Sequence, residues 1–145
     1  MIKKCLATAF VLFVFIFWHN VIFGMDWITA NQVTLTWRAV TTMEDGSAIP
    51  EGDVVTYEVF LVPKTGDKIA DRILKVETIE TEATLTFDLE GLFFLGVRAV
   101  RSKAGTRLIS SKVSWTDNPG AVMDGLTQGV IFFRVPANPL DLEIN

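Results

Sequence analysis

The sequence has very little of the chemistry that enzymes use for nucleophilic attack. It contains one cysteine and one histidine, Cys5 and His19, and both fall within the first 24 residues. Residues 25–145 therefore have no thiol or imidazole, which excludes a catalytic centre of the Ser-His-Asp or Cys-His type there. Zinc and most other transition metals prefer the same two ligands. We predict a protein that is not an enzyme and that uses no metal or other cofactor.

Residues 25–145 also have too few basic side chains to bind polyanions. They carry 11 basic and 17 acidic side chains, a formal charge of −6. Nucleic acids and anionic lipids are bound by basic surfaces, so neither is expected as a partner of this part of the chain. The acidic residues of the loop 44–53 do not have the spacing of a calcium-binding loop. Without cysteine, this part must also fold by packing alone.

The first 24 residues differ from the rest. Lys3 and Lys4 precede an apolar run from Cys5 to Trp18, and His19 and Asn20 interrupt it. A basic start before an apolar run is typical of a secretory signal peptide. Two interpretations stay open, because a run of about 20 residues can also remain as an apolar helix that anchors the chain in the inner membrane. Both predict that residues 25–145 are periplasmic or secreted, with membrane contact only through residues 1–24.

Alternating apolar and polar residues dominate from about residue 32 onward. Segments rich in glycine, proline and acidic residues separate the alternating stretches about every ten residues. This pattern predicts an all-β fold, an antiparallel sandwich over residues 25–118 in which one face of each strand is polar. Residues 70–80 could also form a helix, but their isoleucine and valine content favours a strand. The predicted strands are 33–37, 57–61, 73–76, 85–89, 93–99 and 108–115.

The order of these motifs resembles the fibronectin type III family. The similar motifs are Val33-x-Leu35-x-Trp37 for strand B, Tyr57-x-Val59 for strand C, Leu85-x-Phe87 for strand E and Phe93-x-Leu95-x-Val97 for strand F. The resemblance implies an immunoglobulin-like sandwich of the kind found in exported bacterial proteins. Two features depart from the family. Phe93 stands where the family has a tyrosine with a hydrogen-bonded hydroxyl, and only residues 25–31 remain for strand A, which is either short or supplied from elsewhere.

Residues 119–145 form a C-terminal tail with one candidate strand. Its apolar residues are Val130, Ile131, Phe132 and Phe133, and the following segment 136–144 looks like the start of another sandwich domain. The strand can pack on the open edge of its own domain, or it can pair with a partner or a second copy of the protein. A third interpretation is a truncated or disordered remnant. An uncovered strand this apolar would aggregate, which favours docking.

Trp27, Trp115 and Asp45 are the candidate ligand contacts, whereas Trp37 is expected in the core. An exposed tryptophan near the loop that contains Asp45 could stack against a sugar ring. The sequence predicts a non-enzymatic, extracytoplasmic binding or adhesion module with a protein or carbohydrate ligand. The alternatives are a carbohydrate-binding module and a structural subunit of a surface or virion assembly, because folds of this kind serve many functions.

Overall fold

The computed structural model describes residues 25–122 and 126–134. Over these residues the protein is all-β, as predicted, and the predicted apolar helix within residues 1–24 lies outside them. No helix in this part of the chain is long and apolar enough to cross a membrane. The strands are β1 (Asp26–Thr29), β2 (Gln32–Thr36), β3 (Asp53–Pro63), β4 (Ile73–Thr78), β5 (Glu82–Thr86), β6 (Gly91–Lys103), β7 (Thr106–Ser110), β8 (Ser114–Trp115) and β9 (Gln128–Phe132).

The strands form two sheets, an arrangement compatible with a β-sandwich. Sheet 1 has the order β1-β9-β6-β3-β4, and β7 and β8 also pair with β6. Sheet 2 consists of β2 and β5, which are antiparallel. The pair β1–β9 is parallel, with Asp26 opposite Gln128. The first strand of the described chain therefore belongs to sheet 1, and the place beside β2 in sheet 2 is left without it.

Strand β6 organises sheet 1. One of its edges pairs with β3 along the whole length of β3, from Asp53 opposite Lys103 to Pro63 opposite Phe93. Its other edge pairs in turn with β7, β8 and β9, which cover successive parts of the strand. Three short strands thus pair with one edge of β6, whereas the single long strand β3 pairs with the other edge.

The candidate strand of the tail lies inside sheet 1, so this sheet continues past residue 118. Strand β9 pairs with β1 on one side and with β6 on the other. Val130 is buried, Ile131 and Phe132 are half-buried, and Phe133 follows the strand with 55% of its surface exposed. The main-chain groups of β9 are therefore used within the chain, as in the interpretation that the strand packs on its own domain.

An inner core joins the two sheets. Ala83 and Leu85 of β5 pack against alternate residues of sheet 1, among them Val59, Leu61 and Val130. Phe93 also lies in this core, and its ring centroid is 5.7 Å from that of Phe87. Phe93 is therefore held by packing against a second phenylalanine.

The outer face of sheet 1 is apolar at its centre, so the predicted polar face is wrong for β3 and β6. Phe60, Val62 and Phe94 alternate with the inner-core residues and form a second cluster with Trp115. The side chains of β3 and β6 are therefore buried on both faces of the sheet over these residues. This burial explains the continuous apolar runs at 59–62 and 92–95, which are typical of strands with no wet side.

Candidate binding cleft beside strand β2

Strand β2 has one edge to which no strand of the described chain is paired. The Trp37 amide donates to the Thr81 carbonyl at 2.9 Å, so Trp37 and every second residue before it turn their main-chain groups towards β5. Main-chain groups alternate in direction along an antiparallel strand. The intervening residues therefore direct their N–H and C=O groups away from β5, along what we call the open edge; these residues are Gln32, Thr34 and Thr36.

A cleft of about 950 Å³ runs beside the open edge. Its other wall comes from β8 and the chain that follows it, including Thr116 and Gln128. Leu35, Trp37 and Val97 line the cleft, and all three are partly buried and packed against the inner core. The cleft therefore reaches the apolar core between the sheets, where the side chains of a further strand beside β2 would lie.

Trp37 supplies the main unsatisfied polar group of the cleft. Its ring packs edge-on against Tyr57, with ring centroids 5.4 Å apart, and the Tyr57 hydroxyl accepts the Val40 amide at 2.9 Å. The Trp37 Nε1 is buried, yet it has no hydrogen-bond partner among the described residues. A buried indole N–H normally donates to an acceptor, and leaving it unpaired costs about 1–3 kcal/mol. A carbonyl group bound in the cleft would remove that cost.

The predicted contact Trp27 lies on the outer face of sheet 1. Its ring packs on the main chain of Gly129, where a Cβ atom would fall 2.4 Å from the ring. The ring centroid is 5.6 Å from that of Phe94, and the Lys64 Nζ lies over the ring at 5.1 Å. A glycine, another aromatic ring and a cation thus surround Trp27, which indicates a packing role.

Trp115 belongs to the same outer cluster. Its ring lies against Gly96, and only 9% of the residue is exposed. The Lys68 Nζ lies 5.7 Å from the ring centroid and forms an ion pair with Asp117 at 2.6 Å. Trp115 also reaches the wall of the cleft. A sugar ring stacks on an open aromatic face, and these contacts favour structural roles for both predicted tryptophans.

Asp45 lies apart from the two tryptophans. Its carboxylate accepts hydrogen bonds from the Ser47 hydroxyl at 2.6 Å and the Ser47 amide at 2.9 Å. These hydrogen bonds lower the pKa of Asp45, which is exposed. Met43 of the same loop contacts Arg101, near the end of β6, whereas Trp115 is opposite Gly96. Asp45 therefore stabilises its own turn, and the structure does not bring it into one site with Trp27 or Trp115.

Glu58 and two arginines of sheet 1 neutralise one another on its outer face. Glu58 is buried between Arg98 and Arg107, and its Oε1 is 2.7 Å from the Arg107 Nη1. Burial raises the pKa of Glu58, but the hydrogen bonds and charges of the two guanidinium groups outweigh it and hold the pKa below its ordinary value. The Arg98 guanidinium also lies over the Phe60 ring at 5.0 Å. These three charged side chains therefore have their partners within sheet 1.

Neither chemistry nor known relatives assign a function to this protein. No family model matches the sequence, and no curated protein is similar to it. In residues 25–122 and 126–134, no three His, Cys, Asp or Glu side chains are placed to hold a metal ion. The cleft is thus the main structural indication of function. Its one signal in the sequence was the thin strand A, because a missing neighbour leaves the edge of β2 open.

Proposed function

We propose that this protein is an exported, non-enzymatic binding module that takes up an extended peptide strand at the open edge of β2. We further propose that its fold is a fibronectin type III-like or immunoglobulin-like sandwich in which no strand of residues 25–122 or 126–134 takes the strand A position beside β2. The observation that carries the proposal is the open edge lying directly against a cleft that reaches the core. A strand bound there would pair with β2 and bury its apolar side chains in one step.

The expected binding mode is strand addition. Gln32, Thr34 and Thr36 offer three N–H and three C=O groups, which give affinity for any extended main chain. Specificity comes from every second side chain of the ligand, because alternate residues of a strand point to the same face. Those side chains would contact Leu35 and Val97. Peptides that alternate apolar and polar residues are therefore the favoured ligands, and the Trp37 indole adds a donor for one carbonyl group.

A pair of proline substitutions tests the open edge. Thr34→Pro removes an N–H group that points to the ligand, whereas Thr84→Pro removes one from the opposite edge of sheet 2. Proline is tolerated in strands where its nitrogen faces an unpaired edge. The two threonines also share one hydrogen bond between their hydroxyls, 2.9 Å long, so both variants lose it. The two variants therefore differ only in the edge of sheet 2 that loses an N–H group: the open edge of β2 in Thr34→Pro and the outer edge of β5 in Thr84→Pro.

The measurement is selection from a phage-displayed library of random peptides on the full-length chain in non-ionic detergent. We expect the selected peptides to alternate apolar and polar residues, to bind the wild type and Thr84→Pro, and to lose at least about tenfold in affinity for Thr34→Pro. Equal binding to both proline variants would place the peptides elsewhere. A selection that yields no binding peptide would refute strand addition.

A further inference from the structure

We infer that residues 140–144, which we call the tail strand, lie beside β2 of their own molecule and control access to the cleft. This inference rests on the proposed function, because it concerns the site where a peptide would be taken up. The tail strand pairs with the open edge, and a peptide from outside binds there only after displacing it. The occupant is thus a named segment of this chain, which follows the described residues.

The end of β9 lies beside the chain that enters β2. The Ala30 amide donates to the Ile131 carbonyl at 3.1 Å, and Ala30 precedes Gln32 by only two residues. The ring centroids of Phe132 and Phe87 are 6.3 Å apart, and Phe87 directly follows β5, the strand that pairs with β2. Strand β9 belongs to sheet 1, but its last residues therefore contact sheet 2 at the end where β2 begins.

Arg134 directs the residues that follow it to the same place. Its amide donates to the Glu90 Oε1 at 2.8 Å, and its guanidinium donates to the Asp88 carbonyl at 3.3 Å. Asp88 comes shortly after Thr86, which is opposite Gln32, the first residue of β2. A chain that continues from Arg134 therefore meets β2 at its beginning. When it runs on beside β2 from there, the tail strand is parallel to β2.

The connection to the open edge is long enough. The apolar side chains of the tail strand enter the cleft when Leu140 lies beside Val33. Measured from Asp88, that position is about 10 Å along the strands and, because β2 lies between β5 and the open edge, about 10 Å across them. The two distances are at right angles and give about 14 Å. The residue steps from 134 to 140 extend to about 19 Å even in the polyproline conformation that the two prolines of this connection favour.

The tail strand has the pattern that the cleft requires. Apolar and acidic residues alternate along it, in the order Leu140, Asp141, Leu142, Glu143 and Ile144. In an extended strand the three apolar side chains share one face, and the two carboxylates share the other. The apolar face would enter the cleft against the inner core, and the carboxylates would stay in water on the outer surface of sheet 2. The tail strand has five residues, as does β2.

Two groups beside the open edge gain partners in this arrangement. Ile144 would lie beside Trp37, so the main chain of the tail strand passes the buried indole Nε1, which has no acceptor among the described residues. Glu143 would lie beside Thr36, on the same face as the exposed Arg38, which also lines the cleft. A carbonyl group and a carboxylate of the tail strand thus meet an N–H donor and a guanidinium group.

Attachment to the same molecule favours the tail strand over a strand from a second copy. A segment on a short flexible connection that spans the gap has an effective concentration of about 1 mM at the site. A second copy at a protein concentration of about 1 μM is roughly a thousandfold more dilute. Because the connection reaches the open edge, the chain's own segment occupies that edge first. Native proteins commonly cover exposed strand edges with another part of the chain.

Occupation by the tail strand weakens peptide binding without abolishing it. A peptide binds only those molecules whose open edge is free, so its apparent dissociation constant is the intrinsic one divided by the free fraction. If the tail strand fills about nine tenths of the clefts, the affinity falls about tenfold. A variant with a poorer tail strand should therefore bind peptides more tightly than the wild type.

Disulfide trapping in the full-length chain tests where the tail strand lies. Cys5→Ala removes the native thiol, and Thr34→Cys is combined with Asp141→Cys for parallel pairing or with Glu143→Cys for antiparallel pairing. Directly opposite residues are about 4.8 Å apart, which a disulfide can bridge. The matched control places the first cysteine at Thr84, about one strand spacing further away and beyond disulfide reach. Both cysteines remove the same hydrogen bond, which joins the hydroxyls of Thr34 and Thr84.

We expect a fast-migrating monomer with an internal disulfide on a non-reducing gel after mild oxidation. It should form from positions 34 and 141 at least about tenfold faster than from positions 84 and 141. Equal rates would indicate a freely moving segment, and reducible dimers without the internal disulfide would indicate a strand from a second copy. Either result would overturn the inference. Faster reaction between positions 34 and 143 would overturn the parallel direction.

Peptide affinity tests whether the tail strand controls access to the cleft. Leu142→Asn puts an amide on the buried face of the tail strand, whereas the control Asp141→Asn puts it on the exposed face. The probe is the tightest-binding library peptide, labelled with fluorescein and titrated with each full-length protein in non-ionic detergent. Fluorescence anisotropy should show at least about tenfold tighter binding to Leu142→Asn than to the wild type or to Asp141→Asn. Equal affinities for the three proteins would contradict this control.

The two measurements separate the tail strand from the proposed function. Library peptides that bind the three proteins equally, in a chain that forms no specific internal disulfide, would leave strand addition standing and remove only this occupant. A specific internal disulfide in a chain that selects no peptide would refute strand addition and, with it, the regulatory role of the tail strand.

Discussion

Glu58 is the carboxylate that two arginines of sheet 1 share. It is buried on the outer face and holds two arginines, Arg98 and Arg107. Burial raises the pKa of Glu58, and the two arginines lower it by a larger amount, so the net shift is downward. A carboxyl group with a lowered pKa in the folded state stabilises the fold above its unfolded pKa. That stabilisation is lost as the pH falls through the folded pKa.

Glu58→Gln should therefore weaken the fold at neutral pH and make it less sensitive to acid. Hydrogen bonds to a charged group are worth about 1.5–3 kcal/mol, and we expect a loss of about 2 kcal/mol in the free energy of unfolding at pH 7. Below about pH 4.3 the difference from the wild type should shrink, because the Glu58 carboxylate becomes protonated first in the unfolded wild type and then, below its lowered pKa, in the folded protein. Urea denaturation between pH 7 and pH 3 measures both effects. Asp88→Asn, an exposed ion-pair partner of Lys75, serves as the control and should change little.

At the scale of strands, two glycines allow the tryptophans to lie flat on sheet 1. A Cβ atom at Gly96 would fall 2.6 Å from both Trp115 and Val113, and one at Gly129 would fall 2.4 Å from Trp27. Trp115 is buried and confined by Val113, so it has no room to move. Trp27 is half-buried and can turn its ring towards water. The same substitution at the two glycines should therefore have different consequences.

We expect Gly96→Ala to lower the free energy of unfolding by about 1–3 kcal/mol, as overpacking does. Gly129→Ala should cost less, because the Trp27 ring moves instead of the strand. Its indole N–H signal in a two-dimensional NMR spectrum should shift, while the Trp115 signal stays in place. Gly120→Ala is the control, since its nearest contact would be the Asn118 side chain at 3.5 Å. An order of stability reversed between the first two variants would contradict this account.

The alternation of apolar and polar residues predicted where the strands lie, but it did not predict which strands pair with each other. The alternation at Val33, Leu35 and Trp37 located β2, and the isoleucine and valine content of 70–80 correctly favoured strand β4 over a helix. Alternation states which side chains share a face, but not which strand lies alongside. The parallel pairing of Asp26 with Gln128 depends on tertiary packing between distant segments. The open edge of β2 follows from that pairing, so the candidate cleft could be anticipated only through the thin strand A.

At the scale of the whole molecule, β9 makes the C-terminal tail part of the fold. Val130 is 3% exposed and packs in the inner core, whereas Phe133 is 55% exposed. Val130→Ala should lower the free energy of unfolding by about 2 kcal/mol, because it removes buried methyl groups and leaves a cavity. Phe133→Ala, although a larger truncation, should change it little. Thermal unfolding of the two variants compares them directly, and equal stabilities would contradict a structural role for β9.

The parallel pair β1–β9 also determines how the molecule responds to mechanical force. Residue 25 leads into one end of β1, and residue 134 follows the opposite end of β9. Tension applied between these two points pulls the strands past each other. All four registered pairs, from Asp26–Gln128 to Thr29–Ile131, then bear the load together, in shear, instead of opening one after another. When the chain is held at its N-terminal side and pulled from its C-terminal side, the short parallel pair β1–β9 would thus resist extension.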